Sequence, residues 1–459
     1  MISCSEQQRT ACSIGGAYTA LAIEKVLPVL HAGPGCIQNA GAVIANLNGA
    51  QRGVSYVNSI IPSTNFCDKD VVFGASGRLR KLVQKSLEYY KTDMLMLVDG
   101  CSSEIVGDDI EEVASDFEGS PIPVLWAKLP GFKGNNIWGH SQVLNSIADQ
   151  YLKKLPQKEI NPKQVNVFGI VPYYDTFWMG DMEELEKTLT GIGLEPNIIY
   201  GRGKGIEAVK KIPQASFNLV LAPWTDLEFA GHLQDIFGTP YFHYPCLPVG
   251  PTETAKFIRE LVEFANLDRI NAEAYIKREE DRYYFYIFNS VGQFLGGPQT
   301  PKRFYINSSA AAAVSLTRFL VNDYGKTPVK VYITEDVPPA YHEGIIKNLR
   351  DINSGDADDF DIVFTNDGGL CVTEMEKEAF KYRKVSFFGT CWDQLFANNH
   401  GLPFVAVSAP SGDVISCTAS RFGYNGALSF LRDMCRDMSQ KVLGSGIVAK
   451  LVEEQPADH

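Results

Sequence analysis

One element governs what this chain can fold into: a short, nearly continuous apolar run that ends in a glycine-bearing turn and presents a cysteine. VLPVLHAGPGC (26–36) and LMLVDGC (95–101) share that plan, and Cys12 sits in TACSIGGA (10–17) beside the same small residues. Runs this short, bounded by Gly, Pro or Asp, predict strands buried on both faces of a parallel sheet. In an open α/β sheet the loop leaving such a strand is where functional groups collect. Glycines 15, 16, 33, 35 and 100 leave room for backbone amides to approach a bulky anion.

The pattern recurs along the chain. KVLPVL (25–30), DMLMLVD (93–99) and IPVLWAK (122–128) predict three strands, with a helix over 78–90 and one continuous helix over 102–117. A second unit follows with strands at QVNVFGIV (164–171), PNIIYG (196–201) and SFNLVLAP (216–223) and a helix over 182–193; a charged helix over 271–288 leads onward. The third begins at KRFYINSS (302–309), runs into a helix closing at Gly325, and adds PVKVYITE, FDIVFTND, KVSFFGTC and PFVAVSAP. The expected fold is α/β: three Rossmann-like domains at 1–160, 161–300 and 301–459, each a mostly parallel sheet flanked by helices. A length of 459 residues agrees with about three domains. GGPQTPK (296–302) is a plausible boundary.

The charge balance, 42 basic against 54 acidic residues for a net −12, repels phosphate backbones and argues against nucleic acid as a partner. No apolar stretch reaches the ~18 residues that span a bilayer, and the first ten residues lack a basic-then-apolar leader, so a cytoplasmic protein without a membrane partner is expected. Ten cysteines in a reducing compartment are free thiols, either buried or ligating metal.

Several chemistries lack their residues. GRGKG (201–205) lacks the spacing of a phosphate loop, and no Gly-x-Gly-x-x-Gly follows the first strand. There is no Gly-x-Ser-x-Gly elbow, no Cys-x-x-Cys and no pair of histidines four apart. His31 is expected to make a hydrogen bond in its loop rather than hold metal, and Glu104, Asp108 and Asp109 to cap and orient the helix after Cys101. By spacing alone, Cys12, Cys36 and Cys101 suit iron–sulfur ligands or buried structural thiols.

CSIGGA (12–17), HAGPGC (31–36), VVFGASGRL (71–79) and CSSEIVGDD (101–109) resemble the nitrogenase component 1 family, whose cluster motifs are Cys-x-Pro/Ser-x-Gly-Ala, His-Gly-x-x-Gly-Cys and Cys-x-x-Glu-x-Ile/Val-Gly-Asp-Asp. The likeness continues through GFKGN (131–135), FWMGDMEELEKTL (177–189), APWTDLEFAGHL (222–233) and FGYNGALSFL (422–431). It implies that Cys12, Cys36 and Cys101 are half of the ligands of an interfacial iron–sulfur cluster, a P-cluster-like 8Fe-7S or a 4Fe-4S group, shared with a homologous α-type subunit in an α2β2 heterotetramer. An ATP-dependent 4Fe-4S reductase homodimer would supply the electrons.

The resemblance also implies a β-type subunit. Ala222 stands where the α-type chain carries the cysteine of its catalytic cofactor, and no histidine lies between Leu402 and Asn425. Cys12 lies close to the first residue, whereas the molybdenum-type β chain has a long extension there; Gly131 or a neighbour replaces its serine, and the HAGPGC turn differs. These departures point to a nitrogenase-like reductase such as methylthio-alkane reductase, or to a vanadium or iron-only relative. A cofactor-assembly scaffold of the same family is the alternative. Cys4 and Cys67 have no counterpart in the family pattern, and Cys246, Cys371, Cys391, Cys417 and Cys435 are expected to be buried structural thiols.

Overall fold

The computed structural model describes residues 7–36, 38, 48–49, 61–156, 158–292, 300–353, 360–378, 385–412 and 414–453. Cys4 and most of the 296–302 segment lie outside them. The described strands form three sheets, and every strand pair is parallel. β1 (Val26–His31), β2 (Met94–Asp99) and β3 (Val124–Lys128) make the first, in the order β1-β2-β3. β1 and β2 are buried along their whole length, as their unbroken apolar runs require.

The second sheet holds β4 (Asn161–Phe168), β5 (Glu195–Asn197), β6 (Ala215–Leu221) and β7 (Tyr241–Tyr244), in the order β5-β4-β6-β7. The third holds β8 (Arg303–Ser308), β9 (Thr327–Ile333), β10 (Asp361–Phe364), β11 (Val385–Gly389) and β12 (Phe404–Ala406), in the order β10-β9-β8-β11-β12. β7 escapes the sequence reading because this edge strand, YFHY, is half solvated and carries no apolar run. One large apolar cluster links residues of all three sheets, from Val26 and Met96 through Val167 and Leu219 to Ile306 and Val331.

The helix expected over 102–117 is two helices, Cys101–Val106 and Ile110–Ser115. Gly107 adopts φ 82°, a left-handed conformation that stops the first helix. Asp109 then caps the second, accepting from the amides of Glu111 at 3.0 Å and Glu112 at 3.4 Å.

The first described residues are anchored to the third sheet. The Arg9 guanidinium bridges both carboxylate oxygens of Asp393, at 2.9 and 3.0 Å, with both side chains buried. This long-range tie holds the segment leading to Cys12 in place.

Candidate functional site

The register of the first sheet creates the site. His31 pairs with Asp99 across β1 and β2, so the chain leaves both strands at the same edge and the loops carrying Cys36 and Cys101 start side by side. They touch at Gly100: a Cβ there would stand 2.8 Å from the Ala32 Cβ, closer than real side chains approach. The Gly100 amide donates to the His31 carbonyl at 3.1 Å, and the Ser103 hydroxyl donates to that carbonyl at 2.8 Å. Cys101 thus begins its helix directly above the end of the sheet.

Cys12 arrives from the other side. It forms an isolated antiparallel bridge with Asn135, and the flanking Ala11 exchanges hydrogen bonds with Asn136: amide to Oδ1 at 2.8 Å, and Asn136 amide to Ala11 carbonyl at 2.9 Å. The Ser13 hydroxyl donates to the Leu129 carbonyl at 2.7 Å. These bonds fix Cys12 against the loop that follows β3.

That loop contains Gly131, which lies between two of the thiols. Its amide donates to the Cys101 Sγ at 3.1 Å. A Cβ on Gly131 would stand 2.7 Å from the Cys12 Sγ and 3.4 Å from the Cys101 Sγ. The Cys36 loop leaves the same sheet edge, and burial first, then the charges of Cys12 and Cys101, push the Cys36 thiol up, against a backbone hydrogen bond from Gly33. Cys12 is exposed, and Cys36 and Cys101 are half-buried. The thiols therefore line a wall that is open on one side. Among the described residues, no group of three or more His, Cys, Asp or Glu closes around a metal position by itself.

His31 is buried and hydrogen-bonded from both ring nitrogens, to the Thr64 hydroxyl at 3.2 Å and to Asp108 at 3.1 Å. Burial lowers its pKa, with Asp108 opposing, so a neutral ring ties loops together. Its partners are on neighbouring loops rather than its own. Asp108 also accepts from the Ala75 amide at 2.8 Å and the Ser76 hydroxyl at 3.0 Å, while Glu104 pairs with Lys133 at 2.7 Å. Asp109 is the helix cap. In GRGKG the donors are taken by protein carboxylates, the Gly203 amide by Glu24 and Lys204 by Glu186.

Exposed apolar side chains surround the thiols. Val72, Phe73, Ile105 and Phe132 are 72, 78, 75 and 60% exposed. Ile105 lies on the helix that Cys101 begins, Phe132 follows Gly131, and the helix Asp68–Phe73 packs on the Cys101 helix.

The resemblance set Gly131 or a neighbour at the place of a serine near the cluster, and it is Gly131 that stands beside the Cys12 and Cys101 thiols. Sequence reasoning missed a small cleft of about 60 Å³ at the ends of β4, β6 and β8, lined among others by Asp175, Asp181, Leu221, Ser309 and Arg421. There burial pushes Asp175 up to about 7 and Asp181 up to about 6. No sequence signal marks the cleft, because its residues come from six separate stretches between residues 169 and 421. Ala222, next to Leu221, uses its carbonyl to accept from the His243 ring at 2.8 Å.

Residues 12–439 match the family model described as nitrogenase component 1 type oxidoreductase. The B subunit of light-independent protochlorophyllide reductase from Bradyrhizobium sp. (strain ORS 278) is 23% identical over 374 residues, covering 79% of this chain and 67% of that protein. Its counterpart from Rubrivivax gelatinosus (strain NBRC 100245 / IL144) is 22% identical, covering 86% and 69%. Among solved structures, that of nitrogenase Cp1 at pH 6.5 superposes with a TM-score of 0.78 at 18% identity, covering 96% of this chain and 95% of that one, a likeness of fold. The chain belongs to the nitrogenase component 1 type oxidoreductases.

Proposed function

We propose that this chain is the β-type subunit of a nitrogenase-family reductase and that Cys12, Cys36 and Cys101 are its half of the ligands of an iron–sulfur cluster completed by a homologous α-type chain. The observation that carries this reading is the convergence at one end of the first sheet of the loops bearing Cys12, Cys36 and Cys101, with the Cys12 and Cys101 thiols beside Gly131. Thiolates are soft donors suited to iron–sulfur groups. An amide hydrogen bond to a ligating sulfur is a usual outer-shell device.

The exposed apolar rim of Val72, Phe73, Ile105 and Phe132 supports protein partners covering the site, since a free surface rarely concentrates such residues. The two protochlorophyllide reductase relatives are each one lettered component of their enzyme, which agrees with a chain that works beside others. Ala222 at the position of the α-type cysteine supports a relay role, with reduction of the substrate on the partner.

Cys12, Cys36 and Cys101 would hold this chain's side of an iron–sulfur cluster, which would supply one-electron chemistry between an ATP-dependent 4Fe-4S reductase and the partner chain. This chain's part is structural chemistry. The three thiolates bind, the Gly131 amide steadies Cys101, the His31–Asp108 pair locks the loops, and the apolar rim keeps water away once a partner is docked.

The test is anaerobic isolation of the native complex through a tag on this chain, with iron and sulfide measured per heterodimer and electron paramagnetic resonance of oxidised and reduced samples. The expected result is a homologous co-purifying chain with about eight irons, or about four for the smaller cluster. About four irons without any turnover would favour the assembly scaffold. An intact complex without iron would contradict the reading.

A further inference from the structure

A partly open cavity of about 370 Å³ lies where β12 meets the helix Gly423–Glu453. None of Cys12, Cys36 and Cys101 lines it. Part of the lining is apolar, with Phe404 on β12 and with Ile415, which is 75% exposed. The charged part sets three arginines, Arg421, Arg432 and Arg436, against two carboxylates, Asp433 and Asp437.

Both carboxylates are taken. Asp433 accepts from Arg421 at 2.7 Å and from Arg432 at 2.9 Å, and Asp437 accepts from the Phe404 amide at 2.9 Å. Arg436 makes no ion pair or hydrogen bond among the described residues. It stands one helical turn from Arg432, on the same face, so the two like charges repel unless an anion lies between them. Arg421 is the fixed member of the group. It is 6% exposed, its guanidinium lies over Phe177 at 3.9 Å from the ring centroid, and its Nη1 donates to the Ser429 hydroxyl at 3.2 Å.

We infer that this cavity is a binding site for a small organic anion, a carboxylate or phosphate carried on an apolar body. Guanidinium groups match the planar, paired oxygens of such head groups, and Arg436 has its donors free for one. Phe404 and Ile415 offer the body a surface to cover, as mostly apolar pockets with a few placed polar groups do. The volume lies at the small end of the range of ligand pockets, about 300 to 1,000 Å³, which limits the body to roughly one ring. The site shares no residue with the thiol wall, so it stands or falls independently of the iron ligands.

The experiment titrates phenyl phosphate and benzoate calorimetrically into the native complex, isolated anaerobically, with inorganic phosphate and phenol as further arms. At least one aromatic anion is expected to bind with a Kd below about 1 mM, and whichever binds tighter identifies the head group. Phenol should not bind, and inorganic phosphate should bind about tenfold more weakly than phenyl phosphate. Arg436→Gln should weaken the tighter anion about tenfold, whereas Arg278→Gln, at an exposed arginine on another helix, should leave it unchanged. Ile415→Ser should narrow the gap between phenyl phosphate and inorganic phosphate. Should Arg436→Gln not assemble with its partner, Arg432→Gln must show the same loss. Failure of both aromatic anions to bind the parent overturns the inference, as does unchanged affinity in Arg436→Gln or an equal loss in Arg278→Gln. Inorganic phosphate binding as tightly as phenyl phosphate overturns it too, because the apolar lining would then contribute nothing.

Discussion

Six of the described cysteines fall into two groups that share a chemistry and differ in surroundings. Cys12, Cys36 and Cys101 stand on loops at one end of the first sheet, exposed or half-buried, with a backbone amide directed at one of them. Cys246 and Cys371 are fully buried, and Cys435 nearly so, among side chains of the cores, whereas Cys391 is half-buried and Cys417 exposed, against the expected burial of both. Burial pushes the thiols of Cys246 and Cys371 well above the usual range. Cys371 touches Met375 and packs with Phe387 and Phe396 as a small hydrophobe. What separates a candidate ligand from a structural thiol is therefore where the topology leaves the loop, and the residue type alone decides nothing.

The largest contrast should appear in reactivity. After iron removal under native conditions, a charged alkylating reagent is expected to label Cys12 at least about 100-fold faster than Cys246 or Cys371, followed by peptide mass spectrometry, because thiolate formation and access both favour the loop. Comparable rates would erase the distinction between the two populations.

A second contrast concerns carboxylates and sharpens the same lesson. Glu104, at the thiol wall, is held below its usual range chiefly by Lys133, whereas burial pushes Asp175 in the second cleft up to about 7. The folded pKa of Asp175 lies above its unfolded value. Its contribution is thus fully present below about pH 4 and is lost as pH rises through about 7. Asp175→Asn keeps an acceptor for the Val171 amide and removes the ionisation. Relative to that variant, the parent should lose stability between about pH 4 and 7, by at most about 1.4 kcal/mol per pH unit, in denaturant midpoints. Parallel curves would show that the carboxyl is not buried as described.

The smallest effect is expected at Asp109. Asp109→Ala removes the cap of the helix Ile110–Ser115 and should cost about 1 kcal/mol of stability with iron content unchanged. Loss of iron in that variant would bring Asp109 into the site and blur the line between thiol wall and scaffold.

Much of this was legible in the sequence, for physical reasons. Strands buried on both faces must be continuously apolar, so β1, β2, β6 and β8 could be read within a residue or two from VLPVL, MLMLV, FNLVL and FYINS. The parallel architecture followed from their alternation with helices, and the three cysteines stood out because each lies beside glycines. The break at Gly107 was not legible. It depends on Asp108 being drawn to His31, Ala75 and Ser76, contacts that span more than thirty residues. Gly131 or a neighbour was placed near the cluster only through the resemblance, since its proximity to two sulfurs arises when loops from residues 12, 101 and 131 converge. The Arg9–Asp393 pair, 384 residues apart, is hidden for the same reason.

The central claim is that three loop thiols, and no buried ones, bind iron. Its most direct test is iron per heterodimer in the native complex carrying Cys36→Ala, set against the same complex carrying Cys371→Ala. The account expects Cys36→Ala to lose most or all of the iron and the brown colour, and Cys371→Ala to retain the parent's iron content. Full iron in Cys36→Ala, or equal loss in both, would contradict it.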